Sequence, residues 1–341
     1  MFSIGNLTVP FPLVLAPMAG ISDLPFRLIN RSFGCRLAFT EMISAGALVH
    51  KSKSTLKKLS TTVDDRPLGI QLLGGGAEII KRALDIVSEY AFDIIDFNAA
   101  CPVKKIASQG KGAGLLREPV KLQKLLKVIV ENTGLPVTVK IRSGWDETSV
   151  NAVELALRAQ DAGVRGLFIH GRTRKQRYSG NVDYNIIREV KESLEIPVIA
   201  SGDALTPDLV RKLFDETGCD GVAVARGALG NPWIFHETTK HLKNGDVPSR
   251  PDVYEIARIM KEHLDLNIEF YGEKLGVILF RKFFAWYARG MAIKELRGRA
   301  FCAGTRDEMS RLIDEVEKCQ SAIVQYLLPY CCQSFNTDFH K

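Results

Sequence analysis

One cysteine in this 341-residue chain stands where a thiol could do chemistry. Cys101 follows the apolar run DIIDFNA (93–99), and a basic, glycine-rich stretch, KKIASQGKGAG (104–114), comes soon after it. An ordinary thiol has a pKa of about 8.5, so it is mostly protonated at neutral pH and can donate a proton. Buried packing is a common role for cysteine. The place of Cys101 after a strand and before a loop favours the chemical role.

Polar or otherwise special residues also end most of the other apolar runs in the first two thirds of the chain. They are Pro17, Met18, Ala19, Glu41, Gln71, Asn98, Lys140, Arg142, His170, Arg172, Ser201, Gly202, Asp203, Ala225, Arg226 and Gly227. Each has an ordinary structural explanation, such as capping a loop or pairing inside a core. Their recurrence at the same place in successive units indicates a functional site.

Eight short apolar runs, rich in β-branched residues, would position these side chains. The runs are 13–18, 37–42, 68–74, 93–99, 137–142, 166–172, 198–203 and 221–227. Most are separated by stretches such as 77–90 and 118–133, whose apolar residues fall at i, i+3, i+4 and i+7 as in amphipathic helices. Eight units over roughly 235 residues predict an α/β fold, a (β/α)8 TIM barrel, with a doubly wound open sheet as the alternative. Chemistry in such barrels gathers at the C-terminal ends of the strands.

The pattern changes after Pro248, where helix-like stretches follow one another without strands. The polar, turn-rich segment KNGDVPSRP (243–251) favours a domain boundary. We predict a catalytic, cofactor-binding barrel over 1–245, a small all-helical domain over 246–330 and a tail over 331–341.

Composition excludes several classes of protein. The seven cysteines are odd in number, dispersed and without a C-x-x-C pair, which argues against a disulfide framework or a zinc site and favours a reducing cytoplasm. No stretch of about 18 residues is uniformly apolar, so we expect no membrane span. The apolar start lacks a positively charged region and is interrupted by Pro10, Pro12 and Pro17, so we interpret it as mature protein rather than a secretion signal.

Glycine-containing turns follow the seventh and eighth runs, SGDALTP and ARGALGNP. In barrels, these turns often bind phosphate through backbone N–H groups, and Arg226 could add a charged contact. Two ordinary tight turns are the alternative. Lys140, in VTVKIR, has three possible roles: stabilising an anionic ring such as a reduced flavin, forming a Schiff base, or making a structural ion pair. The sequence leaves these three open.

Basic residues are concentrated in a few segments, although the net charge is only +7. Three follow strands: 51–58, 104–117 and 172–177. Residues 246–341 hold 14 basic and 14 acidic residues, but 281–299 holds six basic residues against Glu295. We expect these segments to contact a nucleic-acid backbone. For the aromatic residues interleaved in 281–299, packing in the helical core is the simpler expectation.

These residues resemble the tRNA-dihydrouridine synthases, FMN-dependent enzymes that reduce uridine in tRNA. The matching motifs are LAPMAGISDLPFR, QLLG, DFNAACP, VTVKIRSGW, FIHGRT, SGD and ARGALGNPW, which follow the family order from about residue 10 to 235. The resemblance implies that Cys101 is the proton donor and that no metal takes part. It implies cofactor contacts from Pro17, Met18, Ala19, Gln71, Lys140, His170, Ser201, Gly202, Asp203, Ala225 and Arg226. It implies substrate contacts from Asn98, Arg172, Lys104 and Lys105.

The implied reaction adds a hydride from N5 of reduced FMN to C6 of uracil and a proton from Cys101 to C5. NADPH or NADH would reduce the flavin in a transient encounter, since no G-x-G-x-x-G motif follows a strand. The partner would be tRNA, with its dihydrouridine loop as the target, because a uridine must be unstacked to reach a barrel mouth. The oligomeric state stays open, with a monomer slightly favoured.

Two rival interpretations remain at this stage. One is an FMN-dependent dihydroorotate or dihydropyrimidine dehydrogenase that acts on a free base. The other is a non-catalytic RNA-binding protein on a decayed barrel. Two departures from the family pattern bear on them: Ala100 where the family commonly has glycine, and Ser201 where it commonly has asparagine.

Overall fold

The computed structural model describes residues 1–246 and 248–319. They form two compact units, one of Met1–Ala228 with Pro232–Pro248, the other of Leu229–Asn231 with the chain from Ser249 onward. The tail predicted over 331–341 and the end of the predicted helical domain lie outside the described residues.

Eight parallel strands of the first unit close into a barrel, which confirms the predicted TIM-barrel fold. They are β3 (Leu13–Leu15), β4 (Leu37–Ser44), β5 (Leu68–Leu73), β6 (Ile94–Asn98), β7 (Val137–Arg142), β8 (Gly166–His170), β9 (Val198–Ser201) and β10 (Gly221–Val224), and β10 pairs with β3 to close the ring. Several strands are shorter than the apolar runs that predicted them. β3 stops before Pro17, which has no N–H for a ladder, and β9 stops at Gly202, whose φ of 119° leaves the extended region.

Helices follow the strands around the barrel. They are α1 (Leu24–Ser32), α2 (Ala45–Val49), α3 (Lys53–Lys57), α4 (Ala77–Val87), α5 (Lys104–Ala107), α6 (Pro119–Glu131), α7 (Ala152–Asp161), α8 (Tyr184–Ser193), α9 (Pro207–Thr217) and α10 (Ile234–Asn244). Several begin at a side-chain cap: Asp23 accepts from the N–H of Phe26 at 3.0 Å, and Thr206 accepts from that of Leu209 at 3.2 Å. Such caps satisfy backbone donors that a helix start leaves unpaired.

Apolar side chains fill the end of the barrel where the strands begin. A hairpin of β1 (Phe2–Ile4) and β2 (Leu7–Val9) contributes buried residues to the same cluster as Phe39 and Phe168. The two phenylalanine rings meet edge to face, with centroids 5.4 Å apart. This packing leaves the C-terminal strand ends as the place for polar side chains.

The second unit is helical, with α11 (Val253–Tyr271), α12 (Glu273–Tyr287), α13 (Lys294–Ala300) and α14 (Arg306–Lys318). Phe283, Phe284 and Tyr287 are buried in its core, as expected for the interleaved aromatics, whereas Trp286 is half-buried. Within the residues that are described, no helix has both the length and the apolar character needed to cross a membrane.

Candidate active site

A chain of buried hydrogen bonds lies where β5 and β6 end. The side-chain carbonyl of Asn98 accepts from the backbone N–H groups of Ala100 (3.0 Å) and Cys101 (2.9 Å). The amide of Asn98 donates to Gln71 at 2.7 Å, and the amide of Gln71 donates to Asp96 at 2.7 Å. Asp96 is two residues before Asn98 on β6, so both side chains lie on the same face of the strand. The chain thus links a buried carboxylate to the backbone of the cysteine.

Cys101 is half-buried at the start of the loop after β6. Burial raises the pKa of its thiol, although a backbone hydrogen bond at Val103 and the charge of Arg142 oppose that rise. Gly112, at a φ of 54°, packs so closely that a Cβ there would lie 2.9 Å from the Cβ of Cys101. The site therefore holds the thiol protonated and in a fixed place, as a proton donor requires.

The stretch after Cys101 is folded rather than a loose connection. It forms α5 and a 3-10 helix, Gly112–Arg117, and the side chains of Ala107, Ala113 and Leu115 are fully buried. Lys104 and Lys105 are exposed, as expected for residues that face a nucleic acid. Ala100 is absent from the positive-φ positions among the described residues, so the departure from glycine there leaves the backbone unstrained.

Lys140 and Ser201 form the polar contact between β7 and β9. The ammonium of Lys140 donates to the hydroxyl of Ser201 at 2.9 Å, and that hydroxyl donates to the carbonyl of Ile169 at 3.0 Å. Burial lowers the pKa of Lys140 to about 8, while Asp96 opposes the fall. In turn, burial raises the pKa of Asp96 to about 6, which the hydrogen bonds from Gln71 and Thr138 oppose. The side chain at position 201 therefore has a defined role, because Ser201 holds the lysine.

His170 ends β8 as a neutral imidazole. Burial and the surrounding cations, Arg142 first among them, hold its pKa well below the ordinary value. Its Nε2 atom is buried and has no hydrogen-bond partner. Gly202 lies against the ring, since a Cβ there would come within 2.9 Å of the Cδ2 of His170. This nitrogen is available to a bound group.

Asp203 is clamped by two arginines. It has a φ of 50°, which is uncommon for a residue with a side chain. Arg172 donates to both carboxylate oxygens at 2.9 and 2.5 Å, and Arg226 donates to one at 2.8 Å. Arg172 is fully buried and also bonds the carbonyls of Ser179 and Gly180. The guanidinium of Arg172 is therefore engaged inside the protein and positions Asp203, and the substrate contact implied for this residue stays a prediction.

The loop after β3 carries the first predicted cofactor residues. Pro17 and Met18 are half-buried and Ala19 is exposed. The N–H of Met18 donates to Ser22 at 2.9 Å, and the buried Glu41 accepts from the N–H of Gly20 and from Lys58. Glu41, a strand-end residue without a role assigned from the sequence, anchors this loop.

Tyr178 is a site residue that sequence reasoning missed. The guanidinium carbon of Arg142 lies 5.7 Å from the centre of its ring and that of Arg226 lies 5.1 Å away, while the ring of His170 is at 6.4 Å. The ring is 44% exposed, so one part of it remains open to a ligand. The only signal in the sequence was an aromatic residue beside the basic stretch after β8.

A second group of cations, Arg117 and Arg174, stacks on the aromatic ring of Trp145. Arg117 and Arg174 hold their guanidinium carbons 4.1 and 4.5 Å from the ring centre of Trp145. Across the described part of the chain, neither arginine pairs with a carboxylate, and the buried Nε of Arg174 has no partner. The stack joins the loops that follow β6, β7 and β8.

These features fit a flavin that carries a phosphate group. The Nε2 of His170, which donates or accepts according to the tautomer, has no internal partner, and the further N–H groups of Lys140 are donors, so both are suited to the oxygens and nitrogens of a polar ring. Arg226 and the turn at Gly202 supply a cation and closely approaching backbone for an anionic end. Among the described residues, no three His, Cys, Asp or Glu side chains come together to hold a metal ion.

Comparisons with known proteins show the family of this chain. The sequence pattern of the family described as "Dihydrouridine synthase (Dus)" matches residues 14–325. The chain is 39% identical over 292 residues to a protein of Rickettsia conorii named "Probable tRNA-dihydrouridine synthase", covering 85% of this chain and 88% of that one. It is 38% identical over 298 residues to "tRNA-dihydrouridine synthase B" of Pseudomonas putida, covering 87% and 88%.

Similar solved structures support the fold alone. A histamine dehydrogenase from Rhizobium sp. 4-9 superposes with a TM-score of 0.56 at 15% identity, over 77% of this chain and 50% of that one. A 2-naphthoyl-CoA reductase superposes with a TM-score of 0.57 at 10% identity, over 70% and 51%. The chain thus spans about half the length of these two proteins.

Proposed function

This chain belongs to the dihydrouridine synthase family, and from that premise we propose that it is an FMN-dependent tRNA-dihydrouridine synthase. It reduces uridine to 5,6-dihydrouridine in the dihydrouridine loop of tRNA, with NADPH or NADH as the electron source. We place it in the cytoplasm, where thiols stay reduced, and the cysteines of the described residues are all free.

The observation that carries this proposal is the setting of Cys101. A protonated thiol, fixed by the Asn98 carbonyl, stands in the same ring of strand ends as Lys140 and His170. A free-base dehydrogenase would use the same cysteine in reverse. The family membership and the unpaired arginines on Trp145 favour a polyanionic substrate instead.

FMN, when bound, supplies the hydride that reaches C6 of uracil. Cys101 gives its proton to C5, so the C5–C6 double bond becomes a single bond and the thiol becomes a thiolate. The thiolate recovers a proton from solvent before the next turnover. Arg142, whose side chain donates to the carbonyl of Ala100 at 2.9 Å, stabilises the thiolate through its charge.

Other residues hold the cofactor and the base. Lys140 and the Nε2 of His170 would hold the ring of the cofactor, and Arg226 would contact its phosphate. The amide nitrogen of Asn98 and that of Gln71 each keep one hydrogen beyond those already engaged, which is available to the base or the cofactor.

Both units offer cations to the tRNA backbone. On the barrel these are Lys104, Lys105, Arg117 and Arg174. In the helical unit, part of the excess charge predicted for 281–299 is engaged internally: Arg281 bonds the carbonyl of Ala303, and Arg299 pairs with Glu315 through two contacts of 2.7 Å. Lys294 and Arg297 are therefore the better candidates for phosphate contact in that segment.

The test uses purified full-length protein and an unmodified tRNA transcript. Absorbance of the pure protein shows whether a flavin is bound, and mass spectrometry of digested tRNA measures dihydrouridine and its position. NADPH and NADH are compared as donors, and free uracil and dihydroorotate as competing substrates. A colourless protein, or turnover of a free base without turnover of tRNA, would overturn the proposal.

A further inference from the structure

We propose that Asp96 is a positioning residue for the reaction: through Gln71 and Asn98 it fixes the direction of a hydrogen-bond chain that holds the backbone of Cys101 in place. The catalytic consequence rests on the proposed role of Cys101 as the proton donor. The structural claim does not, and it can be tested separately.

The direction of the chain is set by its two ends. At one end, the backbone N–H groups of Ala100 and Cys101 can only donate, so Asn98 must turn its carbonyl toward them. Its amide then faces Gln71, which must present its own carbonyl and direct its amide onward. At the other end, the carboxylate of Asp96 accepts that amide. In this orientation the two side-chain carbonyls, the carboxylate and the two backbone N–H groups are all paired, whereas turning either amide would set N–H against N–H or oxygen against oxygen.

Asp96 is also held in position from its other side. The hydroxyl of Thr138 donates to the second carboxylate oxygen of Asp96 at 2.8 Å. Asp96 and Gln71 are each 1% exposed, so water cannot replace a lost partner. An unsatisfied amide in such a place is costly, and Gln71 would turn to recover a partner. That turn would set two amide groups against each other and release Asn98 from the backbone of Cys101.

The consequence falls on Cys101 because the Asn98 side chain holds its backbone N–H, while the N–H of Ala113 holds its carbonyl at 3.1 Å. One carbonyl oxygen takes two successive N–H groups, which fixes the backbone on entry to the loop. Without this anchor the thiol gains exposure, and the burial that raises its pKa is lost. Asp96 thus acts on the proton donor without touching it.

The experiment compares substitutions that interrupt the series of hydrogen bonds with substitutions that keep its direction. Asp96→Leu removes the terminal acceptor, and Gln71→Met removes the middle link. Asp96→Asn keeps the direction, because its carbonyl can accept from Gln71 while its amide donates to Thr138, whose hydroxyl can turn to the carbonyl of Ile95 at 3.5 Å. Gln71→Glu also keeps it, since two adjacent buried carboxyl groups share one proton that can bridge them.

The readout is alkylation of Cys101 by iodoacetamide across a range of pH, followed by peptide mass spectrometry on the full-length protein as purified. The exposed Cys302 in the same sample is the internal reference. We expect Asp96→Leu and Gln71→Met to raise the rate at Cys101 about tenfold, the factor expected from the loss of one buried hydrogen bond. Their reactivity should also begin at lower pH. Asp96→Asn and Gln71→Glu should alkylate at the parental rate.

Equal rates in all four variants would overturn the proposal, as would a rise in Asp96→Asn equal to that in Asp96→Leu. If Asp96→Leu does not fold, Gln71→Met against Gln71→Glu decides alone. Dihydrouridine formation, measured in parallel, distinguishes a failure of the positioning role of Asp96 from a failure of the proposed function. Altered alkylation in a protein whose parent makes no dihydrouridine would sink the proposed function and leave the positioning role standing.

Discussion

The ammonium of Lys140 lies 2.9 Å from the hydroxyl of Ser201, and this bond crosses from β7 to β9 at the ring of strand ends. Where the family commonly has an asparagine, this chain meets the lysine with a shorter side chain. The hydroxyl accepts a hydrogen bond from the lysine and donates one to the backbone carbonyl of Ile169. A half-buried cation is thereby held at the ring of strand ends.

The first prediction concerns the charge on Lys140. Its pKa is lowered to about 8, so the cation is present below that pH and is lost above it. FMN retention should therefore weaken as pH rises through about 8. Ser201→Ala removes a partner of the charged form, so the same loss should occur at lower pH. Flavin content after gel filtration at several pH values measures this, and coincident profiles for parent and variant would contradict it.

Cys101→Ala should keep its flavin and its tRNA affinity but lose most turnover. Loss of a positioned general acid typically costs about 10² to 10⁴ in rate. Cys302→Ala, at an exposed thiol of the helical unit, is the matched control and should be fully active. Single-turnover dihydrouridine formation is the measurement, and full turnover in Cys101→Ala removes the cysteine from the mechanism.

The dependence of the parent enzyme's single-turnover rate on pH should report the deprotonation of Cys101. Burial raises the pKa of Cys101, so the proton is available at neutral pH and is lost only above the range in which an exposed thiol titrates. Single-turnover rates should fall on that alkaline limb. A fall centred on the ordinary thiol pKa of about 8.5 would contradict the assignment.

Arg226→Ala should weaken FMN retention more than tRNA binding. Loss of one charge-assisted contact costs about 1.5–3 kcal/mol. Arg158→Ala is the control, because that arginine pairs with Glu154 on the exposed side of α7. Flavin dissociation constants are compared with tRNA affinities, and equal flavin affinity in Arg226→Ala and parent refutes the phosphate contact.

Arg117→Gln and Arg174→Gln should each weaken tRNA binding and leave flavin content unchanged. Two unpaired cations on one tryptophan ring are suited to phosphates, so the slope of log K against log salt should flatten by about 0.7–0.9 per lost contact. Lys175→Gln is the control in the same loop, since Lys175 already pairs with Glu147 at 3.3 Å. An unchanged slope in stable variants would place the RNA elsewhere.

The helical unit should lose stability on acidification because of His263. Burial is the main cause that lowers its pKa to about 3, and its Nδ1 lies 3.2 Å from the hydroxyl of Tyr287. The unfolded chain takes up the proton near pH 6.5, so stability is full above that pH and falls below it by up to about 1.4 kcal/mol per pH unit. His263→Gln should flatten the dependence of the melting temperature on pH between about 6.5 and 4.

Much of the architecture was readable in the sequence because it depends on local periodicity. Eight β-branched runs separated by amphipathic stretches leave few alternatives to a closed barrel, and chemistry in that fold collects at strand ends. The set Gln71, Asn98, Cys101, Lys140 and His170 followed from that rule. The motif resemblance then gave each member a role.

Contacts between distant parts of the chain were not readable in this way. Arg172 stood at a strand end like the others, yet tertiary packing buries it against Asp203, 31 positions away. Tyr178 and Trp145 gained their arginine partners only because separate loops meet after the strands. The charge of Arg299 is engaged by Glu315, which lies outside the basic segment 281–299.

The barrel, the residues at its strand ends and the thiol as the candidate acid could be predicted from the sequence, since these depend on residue type and spacing along the chain. Packing between distant segments decided which of those residues are available to a ligand and which are engaged with one another. It also decided the direction of the hydrogen bonds from Asp96 to Cys101. That direction depends on which donors and acceptors meet across strands, and spacing along one strand does not encode it.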